Sequence, residues 1–313
     1  MATPFFGYHM PSFTFPGTAD ADLFEHVAEL ALAAEDAGFD MVTVMDHFYQ
    51  IKGVGTETEP MLESYSTLAA LSQRTKRVRL SALVTGVTYR NPALLVKAVT
   101  TLDVLSKGRA ILGLGAAWNE DEHRGLGFDF PPIGRRMDRL EEAARIAKLM
   151  FTEERPSFSG KYFRIDRAIN SPRPLQPGGP KLLIGGSGEK RTLRIVAKYA
   201  DISNWFPGLE ETKRKIGILE RYCEEDGRDP SAILKTVSAP CVLALDQAQA
   251  RELKERISPE RLAQLGEPVL PEQAAELLQP YMEAGIGGFT FGNTNLFSPE
   301  LLMAAGELKR QLS

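Results

Sequence analysis

The sequence predicts an α/β protein of the closed-barrel type, a (β/α)8 TIM barrel, on three observations. Short β-rich runs alternate with amphipathic helical runs along the chain. Several β runs are almost continuously apolar, as parallel strands buried on both faces are. The alternation repeats eight times, which favours a closed ring with helices outside over an open sheet. A doubly wound sheet is the runner-up. It wants a GxGxxG turn after the first strand, and FFGYHMPSF (5–13) offers none.

Taken in order, strand one is FFGYHM (5–10), and Leu23, Val27, Leu30 and Ala34 mark the helix that follows. Strand two is MVTVMDH (41–47), strand three VRLSALVT (78–85) and strand four AILGLG (110–115), with helices near 62–75 and 93–106. Met137, Leu140, Ala144, Ala147 and Phe151 mark a helix over 135–151. Strands KLLIGG (181–186), ISNWF (202–206), VSAPCVLAL (237–245) and FTFGN (289–293) complete the set, with helices near 189–199, 210–226, 271–284 and 298–311. Asn91-Pro92 and Ser298-Pro299 read as a cap residue followed by proline in the first turn. DAGFDMVTV (36–44) and EAGIGGFTF (283–291) share one pattern: a helix end, a glycine cap, then a β run. The expectation is one domain over 1–313, with insertions at about 116–180 and an irregular stretch at 246–270.

Composition excludes several classes. Of 313 residues, 43% are hydrophobic and 25% charged, the balance of a globular domain. A net charge of −4 with no basic stripe argues against nucleic acid. Apolar runs fall short of the roughly 18 residues of a membrane span. The first lysine or arginine is Lys52, so no secretory leader is expected, and Cys223 and Cys241 show no CxxC spacing. The expectation is a cytoplasmic protein without disulfides. His9, His26, His47 and His123 lack ligand spacing, so no metal is expected.

A barrel keeps its active site at the C-terminal ends of the strands. Those ends carry His9-Met10, Asp46-His47-Phe48, Thr85-Gly86, Gly115-Ala116-Ala117-Trp118, Gly185-Gly186-Ser187-Gly188, Trp205-Phe206 and Gly292-Asn293. Both tryptophans fall there. This describes a large, mostly apolar cavity floored by glycines, suited to a flat aromatic cofactor more than to hydrolysis. The GGSG run reads either as a tight turn or as a phosphate-binding helix start. His47 is either a partner to a cofactor ring or a loop histidine. Trp118 is either a wall of the pocket or core beneath the insertion. Arg135 and Arg136 either reach a phosphate or face solvent.

Longer runs carry a resemblance. TLDVLSKGRAILGLGAAWNEDEHRGLGFDFPPIGRRMDRLEEA (101–143) and KLLIGGSGEKRTLRIVAKYADISNWF (181–206) resemble the two signatures of the bacterial luciferase-like monooxygenase superfamily. AEDAGFDMVTVMDHF (34–48) and LVTGVTYRNPALLVKAV (83–99) match further. The wording is most similar to the actinobacterial branch that uses the deazaflavin coenzyme F420, with FMN the alternative. The resemblance implies a barrel whose cofactor ring lies at the mouth. It implies a cofactor phosphate on Gly185, Gly186, Ser187 and Gly188, and a non-prolyl cis peptide at Leu83–Val84 behind the ring. It places Asp46 and His47 by the ring's polar edge, Thr85 beside the bulge, and Gly115, Ala116 and Ala117 close to the cofactor. His47 and Trp118 become the catalytic candidates.

Two departures stand out. The usual GAGW run is GAAW here, so Ala117 adds a methyl group. Relatives that oxidise sugar phosphates or alcohols carry a glutamate acid at the point in this run where the chain has Trp118. The implied activity is hydride transfer from reduced F420 to a small, largely apolar substrate. An FMN-dependent monooxygenase working with a separate cofactor-reducing enzyme is the alternative, and a non-catalytic cofactor-binding protein is a third. A homodimer is implied.

Overall fold

The computed structural model describes residues 3–206, 208–292 and 298–313. Eight parallel barrel strands occupy Phe5–Met10, Met41–Val44, Arg79–Gly86, Ile111–Gly115, Lys181–Gly185, Ile202–Trp205, Leu234–Ser238 and Gly288–Phe291, the third of them broken into Arg79–Ala82 and Thr85–Gly86. The first piece of strand three pairs with strand two, Val42 opposite Leu80. The second pairs with strand four, Thr85 opposite Leu114. Leu80 also bridges Ala110, so the ring closes through the broken strand. The break coincides with a cis peptide at Leu83–Val84, the position that the family resemblance implies.

Alternation along the strands explains the two-sided burial. Val42, Leu112, Leu182 and Ile184 point outward into the helix layer, while Met41, Ile111, Leu183 and Ile202 plug the interior. Above that plug the interior turns polar. Asn204 Nδ2 donates to Thr236 Oγ1 at 3.0 Å and to Thr290 Oγ1 at 3.3 Å, and Thr236 Oγ1 donates to the Ser203 carbonyl at 2.7 Å. These groups satisfy one another beneath the mouth.

The helix signals hold where their chemistry is local. The Asn91 side chain accepts from Ala93 N at 2.9 Å with Pro92 in the first turn, and Ser298 accepts from Leu301 N at 3.3 Å. Gly38 and Gly285 adopt φ of +88° and +101°, and Phe39 N and Ile286 N reach back to the Ala34 and Tyr281 carbonyls.

Three expectations change. Strand seven is Leu234–Ser238, not 237–245; Pro240 has no N–H to continue a ladder, and Val242–Leu243 pairs instead with Pro268–Val269. The irregular stretch 246–270 contains helices Gln247–Arg256 and Pro259–Leu265. The helix after GGSG begins at Thr192, not near Glu189. Asn293, expected at the end of strand eight, lies outside the described residues. Among the described residues, no helix is long and apolar enough to cross a membrane.

Candidate active site

The strand ends, the insertion and the 259–265 helix enclose a cavity of about 1470 Å³. Asp46, His47, Leu83, Val84, Gly115, Ala116, Ala117, Trp118, Gly185, Gly186 and Gly188 all line it. Two candidates stand back from the wall. Thr85 is fully buried, its hydroxyl 2.7 Å from Tyr65 Oη. The Ser187 hydroxyl is buried within the glycine turn and has no hydrogen-bond partner among the described residues.

Val84 explains two of the glycines. A Cβ on Gly115 would meet its Cγ2 at 2.6 Å, and a Cβ on Gly185 would meet both its methyl groups at 2.9 Å. The branched side chain at the cis peptide therefore needs glycine on strands four and five.

His47 is tied into a buried acid that the sequence reading missed. Its Nδ1 lies 2.8 Å from Glu122 Oε2, and Glu122 is fully buried. Tyr89 Oη donates to the same oxygen at 2.5 Å, while Phe48 N and Tyr49 N donate to Oε1, the latter at 2.9 Å. Burial alone would raise this carboxyl, but the His47, Tyr89 and Tyr49 donors outweigh it and hold it below the ordinary 4.5. An ionised carboxylate only accepts, so Nδ1 carries the proton and Nε2 is left for the cavity. One available signal was Asn119-x-x-Glu122, the pattern of a capping box; Asn119 caps the Glu120–Leu126 helix.

His9 is the second cavity histidine. Its Nδ1 sits 2.9 Å from Thr43 Oγ1, and burial, with repulsion from His47 and Arg261, pushes its pKa down to about 4. Trp118 is a wall, 60% exposed, with its ring centroid 5.4 Å from that of His47. Trp205 is core, its Nε1 donating to Thr212 Oγ1 at 3.3 Å. The Asp46 carboxylate is engaged behind the wall, by Arg90 at 2.7 Å and Ser64 at 2.6 Å.

Ala117 has φ of +60°, the left-handed region that disfavours a side chain. Arg136 braces it: Nη1 donates to the Ala117 carbonyl at 2.5 Å, and the guanidinium stacks 4.0 Å from the Phe130 ring centroid. Arg136 thus supports the wall, and Arg135 is exposed. Cys223 and Cys241 are buried free thiols. Among the described residues, no group of three or more His, Cys, Asp or Glu is placed to hold a metal ion.

An eight-stranded barrel, a cis peptide inside strand three and a glycine turn after strand five are the features that the sequence resemblance implies for its class. Residues 5–300 match the luciferase-like monooxygenase family, and the chain belongs to that family. It is 33% identical over 272 residues to an F420-dependent glucose-6-phosphate dehydrogenase of Intrasporangium calvum, covering 78% of this chain and 79% of that one. In fold it is similar to an F420-dependent secondary alcohol dehydrogenase solved with an F420–acetone adduct (TM-score 0.82, 21% identity, all of both chains). It is similar also to the EDTA monooxygenase of Chelativorans (TM-score 0.82, 16% identity, 99% of this chain and 93% of that one).

Proposed function

We propose that this protein is an oxidoreductase that uses reduced coenzyme F420 to transfer hydride to a small substrate with an apolar body. One observation carries the cofactor reading: a buried, unpartnered Ser187 hydroxyl inside the Gly185–Gly188 turn. A phosphate on the amides of this turn, with the Ser187 side chain rotated toward it, would complete the site. Lys52 and Lys190, both exposed on the cavity wall, have no ion-pair partner among the described residues. They suit a tail with several negative charges, which favours F420 over FMN, as does the 33% identical relative.

When bound, the reduced deazaflavin supplies the hydride. Leu83, Val84, Gly115, Ala116 and Ala117 would bound the ring. His47 holds or delivers a proton at Nε2, and Glu122 fixes that orientation through Nδ1. Trp118 and Phe206, 60% and 71% exposed, offer apolar surface that excludes water once covered. The reading takes residues 1–313 as one domain, a cytoplasmic homodimer supplied by a separate cofactor-reducing enzyme.

Titration of the purified protein with F420 and with FMN tests it. F420 should bind more tightly, and Ser187→Ala should weaken it about tenfold. Tight FMN binding without F420 binding would turn the reading to the FMN-dependent monooxygenase. Turnover unchanged in both His47→Ala and Trp118→Ala would remove their catalytic roles and favour a non-catalytic cofactor-binding protein.

A further inference from the structure

We propose that Arg261 anchors an anionic oxygen group of the carboxylate class on the substrate that fills the cavity. The inference rests on the cavity being a substrate site, and not on which cofactor it holds. It adds a charged handle to a substrate otherwise expected to be apolar.

Arg261 stands on the Pro259–Leu265 helix and lines the cavity. A guanidinium carries five N–H donors and in a protein keeps its charge. Here Nη1 donates to the neutral Gln264 Oε1 at 3.0 Å, and Nε is buried with no partner among the described residues. Burial lowers the Arg261 pKa, and no acid offsets that effect. Of the other arginines near the mouth, Arg90 is answered by Asp46 and Glu63 and Arg191 by Asp138, while Arg136, whose Nε is also unpartnered, is held by the Ala117 carbonyl and the Phe130 ring and does not line the cavity. The residues outside the described set, Met1, Ala2, Pro207 and 293–297, contain no Asp or Glu that could neutralise it. A partly buried cation with an orphaned donor implies a ligand that brings the anion.

Position separates this anion from the cofactor's. Arg261 is close enough to His9, at the end of strand one, for their charges to interact. The glycine turn follows strand five. Around the ring the strands run one, eight, seven, six, five, so strand five lies four steps away, on the far side of an eight-membered ring. A phosphate on the glycine turn leaves Arg261 free. A single guanidinium suits a monoanion, and a carboxylate accepts from its fork in two parallel bonds. His9, neutral through the physiological range, presents no charge to repel a cationic neighbour or attract a second anion.

The test is calorimetric titration of the protein, with and without saturating F420, using benzoate, its neutral isostere benzamide, and inorganic phosphate. Benzoate should bind at least tenfold more tightly than benzamide. Arg261→Gln should remove that difference, Arg261→Lys should keep part of it, and both should leave F420 affinity unchanged. Retained benzoate binding in Arg261→Lys, with matching melting curves, separates lost charge from lost folding. Equal affinity for benzoate and benzamide, benzoate binding indifferent to Arg261→Gln, or displacement of benzoate by phosphate would each overturn the inference. So would an Arg261→Gln variant that loses F420 instead of benzoate. Failure of F420 to bind the wild-type protein would overturn the cofactor reading, while the cofactor-free titrations still decide Arg261.

Discussion

Replacing Glu122 by glutamine perturbs the contact that orients His47. The carboxylate accepts four hydrogen bonds, from His47 Nδ1, Tyr89 Oη, Phe48 N and Tyr49 N. Two of these donors are backbone amides, which cannot reverse. The glutamine oxygen must therefore face Phe48 and Tyr49, and its NH2 must face His47 and Tyr89. Tyr89 can rotate its proton, and His47 can answer only by moving its proton to Nε2. The charge-assisted part of the network is lost, about 2–3 kcal/mol. Glu122→Ala leaves all four donors unpaired and should lose about 3–5 kcal/mol. The sign with pH follows from the depressed pKa. Below its ordinary 4.5, Glu122 gives stability that is fully present above 4.5 and is lost as pH falls through the lower folded value. Urea unfolding of wild type and Glu122→Gln should show a gap at pH 7 that closes as pH falls below about 4.5. Nitrogen NMR of His47 should show the proton on Nδ1 in the wild type and on Nε2 in the variant. Equal stabilities at pH 7, a gap that ignores acid, or an unchanged tautomer would refute the argument.

Other expectations test neighbouring parts of the site. Ala117→Gly removes a side chain held at φ +60°; relief of about 1–2 kcal/mol against roughly 0.4–1 kcal/mol of added chain entropy leaves a small net gain, read as a raised unfolding midpoint. A lowered midpoint would show that the methyl group is needed. Gly115→Ala should lose about 1–3 kcal/mol because the new Cβ meets Val84 Cγ2 at 2.6 Å. In a Val84→Ala background the same change should lose much less, and additive losses would deny the contact. His9 should show no titration in proton NMR between pH 5 and 8, since its pKa lies at about 4; a midpoint near 6.5 would contradict its burial.

What the sequence determined is what short-range chemistry and periodicity encode. Eight β runs between amphipathic helices favour a ring of parallel strands over an open sheet. Asn91-Pro92 and Ser298-Pro299 start helices because cap and proline act within one turn. Gly38 and Gly285 close the Leu23–Asp36 and Pro271–Glu283 helices because glycine accepts a positive φ. The motif runs, read whole, also placed the cis peptide at Leu83–Val84. Strand seven was misplaced because VSAPCVLAL is apolar at both ends, and pairing partners, not composition, decide which half joins the barrel. Only the tertiary structure could decide partnerships across long separations. Glu122 meets His47 across 75 residues, and no local pattern ties a buried acid to a strand end so far away. Asp46, expected at the cofactor, turns its carboxylate to Arg90, 44 residues on. Arg261 was one charge in the irregular stretch 246–270 until the fold carried it over the mouth and left it without an acid. Local conformation follows from neighbours in the chain; the state of a charge follows from what the fold brings beside it.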